Sequence, residues 1–156
     1  VVSMMIDFYR LPSDFPGFND LKVTQTHQEQ ANLLETRIKK DLEDSQNQLF
    51  DNFIPYIQLH EFEALVFASI SGIDSLFERN EMDYNGLMNV IQQYPNPEDI
   101  NNHPDTAPSV RLKKLISGYN KVLHGIDIIN TVGMNELLEK CPRFKAWIES
   151  MEEVLK

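Results

Sequence analysis

Two runs constrain the fold more than any other feature of the chain: VVSMMIDF at residues 1–8 and FIPYIQLH at 53–60, separated by a stretch of different periodicity. A short, continuous apolar run suits a strand covered on both faces, and aromatic and β-branched residues over one strand length point the same way. Pro55, near the start of the second run, is tolerated at a strand edge or first position. Between the runs, residues 24–48 interleave polar positions with Ala31, Leu33, Leu34, Ile38 and Leu42, which predicts a helix with an apolar stripe. Strand, helix, strand is a βαβ unit, so the two strands run parallel and end at one edge. In open α/β sheets ligands bind at that edge.

The predicted class is therefore α/β, with a parallel sheet and a mostly helical C-terminal half, in one domain over 1–156. The chain turns from strand to helix near Glu61. From about residue 73 onward only helices are predicted, at about 73–80, 84–94, 108–117, 120–131, 133–140 and 142–155. The longest loop or lid candidate is YPNPEDINNHPDTAP, residues 94–108, which equally suits an inert connector.

The strand ends gather the chemistry. Asp7 closes the first run, and His60, Glu61 and Glu63 close or follow the second. Neighbouring strands lie about 4.8 Å apart, so Asp7 and Glu61 or His60 are expected within reach of one hard cation. Clustered carboxylates raise one another's pKa unless a cation neutralises them, and magnesium or manganese would do so. Simpler roles stay open. Asp7 can accept hydrogen bonds from the following turn, Glu61 suits the positive end of its helix, and His60 suits a satisfied strand end. Only one of Glu61 and Glu63 faces a site if the segment is helical, because two residues diverge by roughly 200°. HEFE is not the HExxH spacing of a zinc protease.

A second group comprises Arg111, Lys113, Lys114 and Lys121, around APSVRLKKLISGYNK. Pro108 fits a first helical turn, and Thr106 or Ser109 can supply capping oxygens, leaving backbone N–H groups for an anion. Arg111 and Lys121 are candidate phosphate contacts; a solvated basic face is the alternative. The single cysteine, Cys141, reads as a buried small hydrophobe, and Phe144 and Trp147 as core.

With 24 acidic against 14 basic side chains, the net charge of −10 disfavours nonspecific coating of nucleic acid. No run reaches the roughly 18 apolar residues of a membrane span, and one cysteine makes no internal bridge, so a cytoplasmic protein is expected. A strand pattern beginning at Val1, with no polar lead-in, suggests missing upstream sequence. A sheet that lacks a strand has an unpaired edge, which tends to recruit another chain, so a homodimer is expected.

The phrases MMIDFYRLPSDFPG, FIPYIQLHEFEALVF, APSVRL and CPRFKAWIESME resemble, in this order and over nearly the whole chain, a bacterial domain-of-unknown-function family grouped with the Toprim-like proteins. The resemblance implies a Toprim-type α/β domain, often found beside ATPases in defence or DNA-processing loci. It further implies metal-dependent phosphodiester chemistry on nucleic acid, with an upstream glutamate as general acid or base and an Asp-x-Asp pair holding magnesium. Asp7 matches the first aspartate; the second position holds Tyr9, so that pair is broken. The family's N-terminal part, with its glutamate, is absent from this sequence. Glu61 or Glu63 would then replace the missing ligand, and this chain alone is expected to be inactive. A noncatalytic module that binds a partner ATPase is the alternative.

Overall fold

The computed structural model describes every residue of the chain except residue 102, which falls in the 94–108 loop. The chain divides into two compact units, one formed by Val1–Leu59 with Ala146–Lys156 and the other by His60–Lys145.

The first unit holds the expected βαβ arrangement. Strand β1, Val2–Asp7, pairs in parallel with β2, Phe53–Gln58, in a register that sets Val2 against Phe53 and Asp7 against Gln58. Helix α1, His27–Gln46, connects them; Thr26 and Glu29 close a reciprocal capping box at its start, and Asn47 ends it in a left-handed conformation. Its apolar stripe buries Ala31 and Leu34 with Ile57 and Leu59. Ile6, Phe8, Leu11 and Phe15 pack on this cluster, so the stiff LPSDFPG turn is held by its own apolar side chains. Gly17 adopts φ 82°, and a Cβ there would fall 2.5 Å from Arg37 Cγ, so the turn requires glycine. Trp147 stacks on Tyr56 with ring centroids 4.6 Å apart and donates Nε1–H to Ser3 Oγ at 2.8 Å.

The second unit is helical around one buried segment. Phe62–Ala68 forms a 3-10 helix in which Glu63 through Ala68 are all buried. An α-helix was expected there; the segment is buried nearly all round, so no amphipathic stripe selects the α period over the tighter one. Around it lie α2 (Ile70–Asp74), α3 (Tyr84–Gln93), α4 (Pro108–Leu115), α5 (Lys121–Val132) and α6 (Met134–Lys140), and α7 (Pro142–Val154) follows in the chain. Their core gathers Val66, Phe67, Ile73, Leu87, Ile100, Leu112 and Ile128.

Two boundaries differ from expectation. The helix expected at 73–80 is α2, which starts earlier because Ser69 accepts from Ser71 N–H. It stops at Asp74, where Ser75 Oγ bonds back to Gly72 O and competes with the helical ladder. The second strand stops at Gln58 rather than residue 60, since His60 takes φ 65° and turns the chain out of extended geometry.

Candidate functional site

Asp7 ends β1 half-buried, and the residue facing it across the ladder is Gln58, which is neutral and wholly buried. Tyr56 donates its hydroxyl to Gln58 Oε1 at 3.0 Å, and Gln58 Nε2 donates to Leu59 O at 3.3 Å, so that amide is fixed. Side chains of one face recur every second residue, which puts Asp7 on the face that carries Ser3, Met5 and Tyr56. Asp7 belongs to the first unit, whereas His60, Glu61 and Glu63 belong to the second.

In the second unit Glu61 meets α4. Its Oε2 accepts from Ser109 N–H at 2.9 Å and its Oε1 from Ser109 Oγ at 3.0 Å, across 48 positions of sequence. Helix α4 starts at Pro108 behind Ala107, which has no side-chain cap, so Glu61 serves as a cap brought from elsewhere. The anion expected at this helix start is thus a side chain of the protein itself. Neither Thr106 nor Ser109 caps the helix: Thr106 Oγ1 donates to Asn101 Oδ1 and Ser109 Oγ to Glu61.

Glu63 is fully buried and accepts from Lys121 Nζ at 2.9 Å through Oε2, while the lysine is 48 % exposed. Its other oxygen, Oε1, has no hydrogen-bond partner among the described residues, nor does the buried hydroxyl of Tyr119. Burial pushes the Glu63 carboxyl above the ordinary glutamate range; Lys121 opposes the shift, and the charge of Glu61 adds to it. Burial, together with Glu63 and Glu61, likewise pushes the Tyr119 phenol up, so it stays protonated. His60 is buried at the entrance to this segment.

The basic group is less available than its sequence suggested. Arg111 Nε donates to Thr106 O at 2.6 Å with its guanidinium 5.5 Å from the Tyr94 ring, and Lys114 Nζ donates to Asp105 O at 3.0 Å. Lys121 is paired with Glu63; Lys113 lies exposed at the end of α4.

Sequence reading missed Glu98. It is 1 % exposed, and its two oxygens accept from Arg143 N–H at 2.9 Å and Phe144 N–H at 3.0 Å, at the start of α7. Helix α7, like α4, opens on a proline and is served by a buried glutamate from far away. The signal was present: APS and CPR place Pro at a helix start with Ala or Cys, not Ser, Thr, Asp or Asn, directly before it, which leaves room for a distant cap. Cys141 is fully buried beside this cap, as expected of a small hydrophobe, and burial with the charge of Glu98 pushes its thiol up.

Tested as a site for magnesium or manganese, these groups divide. Both oxygens of Glu61 and one of Glu63 are engaged by Ser109 and Lys121, and an ammonium already occupies the place of a counter-cation at Glu63. Asp7 has the hard oxygen chemistry such an ion requires, and magnesium needs only one or two protein carboxylates besides water and substrate phosphate. Among the described residues no group of three or more His, Cys, Asp or Glu side chains is arranged to hold a metal ion. An open groove of about 850 Å³ lies over α1, lined by Glu35, Lys39, Glu43 and Pro55 among others, and it contains none of the candidate residues.

Among the described residues no helix is long and apolar enough to cross a membrane. Searches of curated proteins and of solved structures return no match. Residues 1–152 match the family described as "Domain of unknown function (DUF4276)", and the chain belongs to that family.

Proposed function

We propose that the protein takes part in Toprim-like, metal-dependent phosphodiester hydrolysis on nucleic acid, in a system that includes an ATPase, with Asp7 as the metal-holding carboxylate of this chain. The observation that carries the reading is the parallel pairing of β1 with β2, which leaves Asp7 at the carboxyl end of its strand, where open α/β sheets receive ligands. Magnesium or manganese bound there would polarise a phosphoryl oxygen and lower the pKa of a bound water. Asp7 would anchor the ion beside Gln58, whose neutral amide is fixed by Tyr56 at the neighbouring strand end. Glu61 and Glu63 act in this reading as internal partners of Ser109 and Lys121.

Titration calorimetry with magnesium and with manganese tests it. The protein should bind one ion, and Asp7→Ala should weaken binding at least tenfold while Glu63→Gln leaves it within a factor of about two, each tenfold step being about 1.4 kcal/mol. Unchanged affinity in Asp7→Ala would sink the proposal.

A second reading is favoured by the commitment of Glu61 and Glu63 to protein partners together with Tyr9 at the second aspartate position. It makes the chain a noncatalytic module that has kept the fold and binds a partner ATPase. Under it, neither ion binds the wild-type protein and no nucleic-acid cleavage accompanies complex formation.

A further inference from the structure

Two buried polar atoms of the second unit, Glu63 Oε1 and the Tyr119 hydroxyl, have no hydrogen-bond partner among the described residues. Glu63 is 0 % exposed and Tyr119 7 %. A polar atom taken out of water and left unbonded costs its full desolvation, so native proteins keep such atoms few. Both lie where the buried 3-10 segment packs on the start of α5. Lys121, the first residue of α5, holds the other oxygen of Glu63 at 2.9 Å, and Tyr119 stands two residues before it. Burial and the charge of Glu63 keep the Tyr119 phenol protonated, so its hydroxyl has a hydrogen to donate.

Beside that hydroxyl there is room. Gly125 is buried in the interior of α5, where only proline is a weaker helix former. A Cβ at 125 would lie 3.6 Å from Tyr119 Oη and 3.7 Å from Phe62 Cε1, ordinary contact distances, and the backbone there is not left-handed. Packing therefore does not demand glycine at this position. Gly72 is the contrast: it meets the same helix, and a Cβ there would fall 2.7 Å from Ile128 O, so close approach accounts for it. At Gly125 the missing methyl leaves space next to a polar atom that lacks a partner.

We propose that Glu63 Oε1, the Tyr119 hydroxyl and the space left by Gly125 form a binding site for one resident water, which donates to the carboxylate and accepts from the phenol. The chemistry of the surroundings selects this guest. An anion would meet the charge of Glu63, to which Glu61 adds, and Lys121 already supplies the cation that Glu63 requires. What fits is a neutral group with one donor and one acceptor in a space the size of a methyl, and water is that group.

The water completes a chain of polar contacts, Lys121 to Glu63 to water to Tyr119, that ties the start of α5 to the buried segment. Its outer end is the Lys121 side chain, 48 % exposed, over a carboxylate that is 1 % exposed. The guest is therefore shielded from bulk and exchanges slowly with it.

Oxygen-17 relaxation dispersion counts long-lived buried waters, and urea denaturation reads the folding constant. Gly125→Ala should remove one long-lived water and lower the folding constant about threefold or more, because the added methyl takes the place of the guest and both polar atoms lose it. In a dry hollow the same substitution would raise the folding constant about fivefold through helix propensity alone, so the sign of the change is decisive. Tyr119→Phe should also remove one long-lived water. In that background Gly125→Ala should be neutral or stabilising, since the methyl then displaces nothing. If Gly125→Ala fails to fold, the water count in Tyr119→Phe decides. A higher folding constant in Gly125→Ala, an equal loss with and without Tyr119→Phe, or an unchanged water count in Tyr119→Phe would overturn the proposal.

Discussion

At the scale of single residues, the second unit is organised by buried glutamates. Glu61 and Glu98 each spend both carboxylate oxygens on the start of a proline-led helix. A hydrogen bond to a charged group contributes about 1.5–3 kcal/mol. Glu98→Ala should therefore lower the unfolding free energy by roughly 2–4 kcal/mol, read from urea denaturation, because two N–H groups lose their acceptor inside the protein. Glu98→Gln keeps one acceptor oxygen and should lose about half as much. Glu63 differs, having one oxygen paired with Lys121 and the other without a partner. Its carboxyl is raised by burial, so between the unfolded and folded pKa values the native state binds the extra proton. Stability from this group is thus fully present below the unfolded value and is lost as pH rises through the folded one. The urea midpoint of the wild type, taken relative to Glu63→Gln, should fall over that interval; a constant difference would show that the carboxyl is not raised.

At the scale of elements, the first unit was legible because its signals are local. A continuous apolar run and a 3.6-residue stripe each define an element from neighbouring residues, and β1, α1 and β2 follow within two residues or so at most ends. The helices at α3 to α7 were equally readable. Illegible were features whose partners are distant in sequence: Glu61 on Ser109, Lys121 on Glu63, Glu98 on α7. Sequence spacing marked Glu61 and Glu63 as functional candidates but carries no information on which groups their oxygens would meet. Glu35 is a case of the same kind. In α1 it reads as one more exposed acid, yet it accepts from Ile57 N–H and closes the outer side of β2. Glu35→Ala should cost about 1–3 kcal/mol, the penalty of an unsatisfied, partly buried donor. It should also raise light scattering on concentration by opening the outer side of β2; Glu35→Gln, which keeps an acceptor, should do neither.

At the scale of the whole molecule, the boundary between the two units falls between Leu59 and His60, inside the phrase FIPYIQLHEFEALVF. That phrase supplies the closed strand of one unit and the buried 3-10 core of the other, which gives a physical reason for its length and apolar character. The negative charge of the chain sits mostly on exposed side chains, while the buried acids are the few with structural partners. The distant capping of α4 and α7 also bears on how the protein acquires its structure. An eight-residue helix is marginal in water, and without a local cap α4 gains its terminal acceptor only after a loop of 48 residues has closed. Loop closure scales as about (3/2)RT ln n, so that acceptor arrives only against a chain-entropy cost that a local serine would avoid. Secondary and tertiary structure in the second unit are therefore expected to form together rather than in sequence, and helicity at α4 should report on assembly of the whole unit.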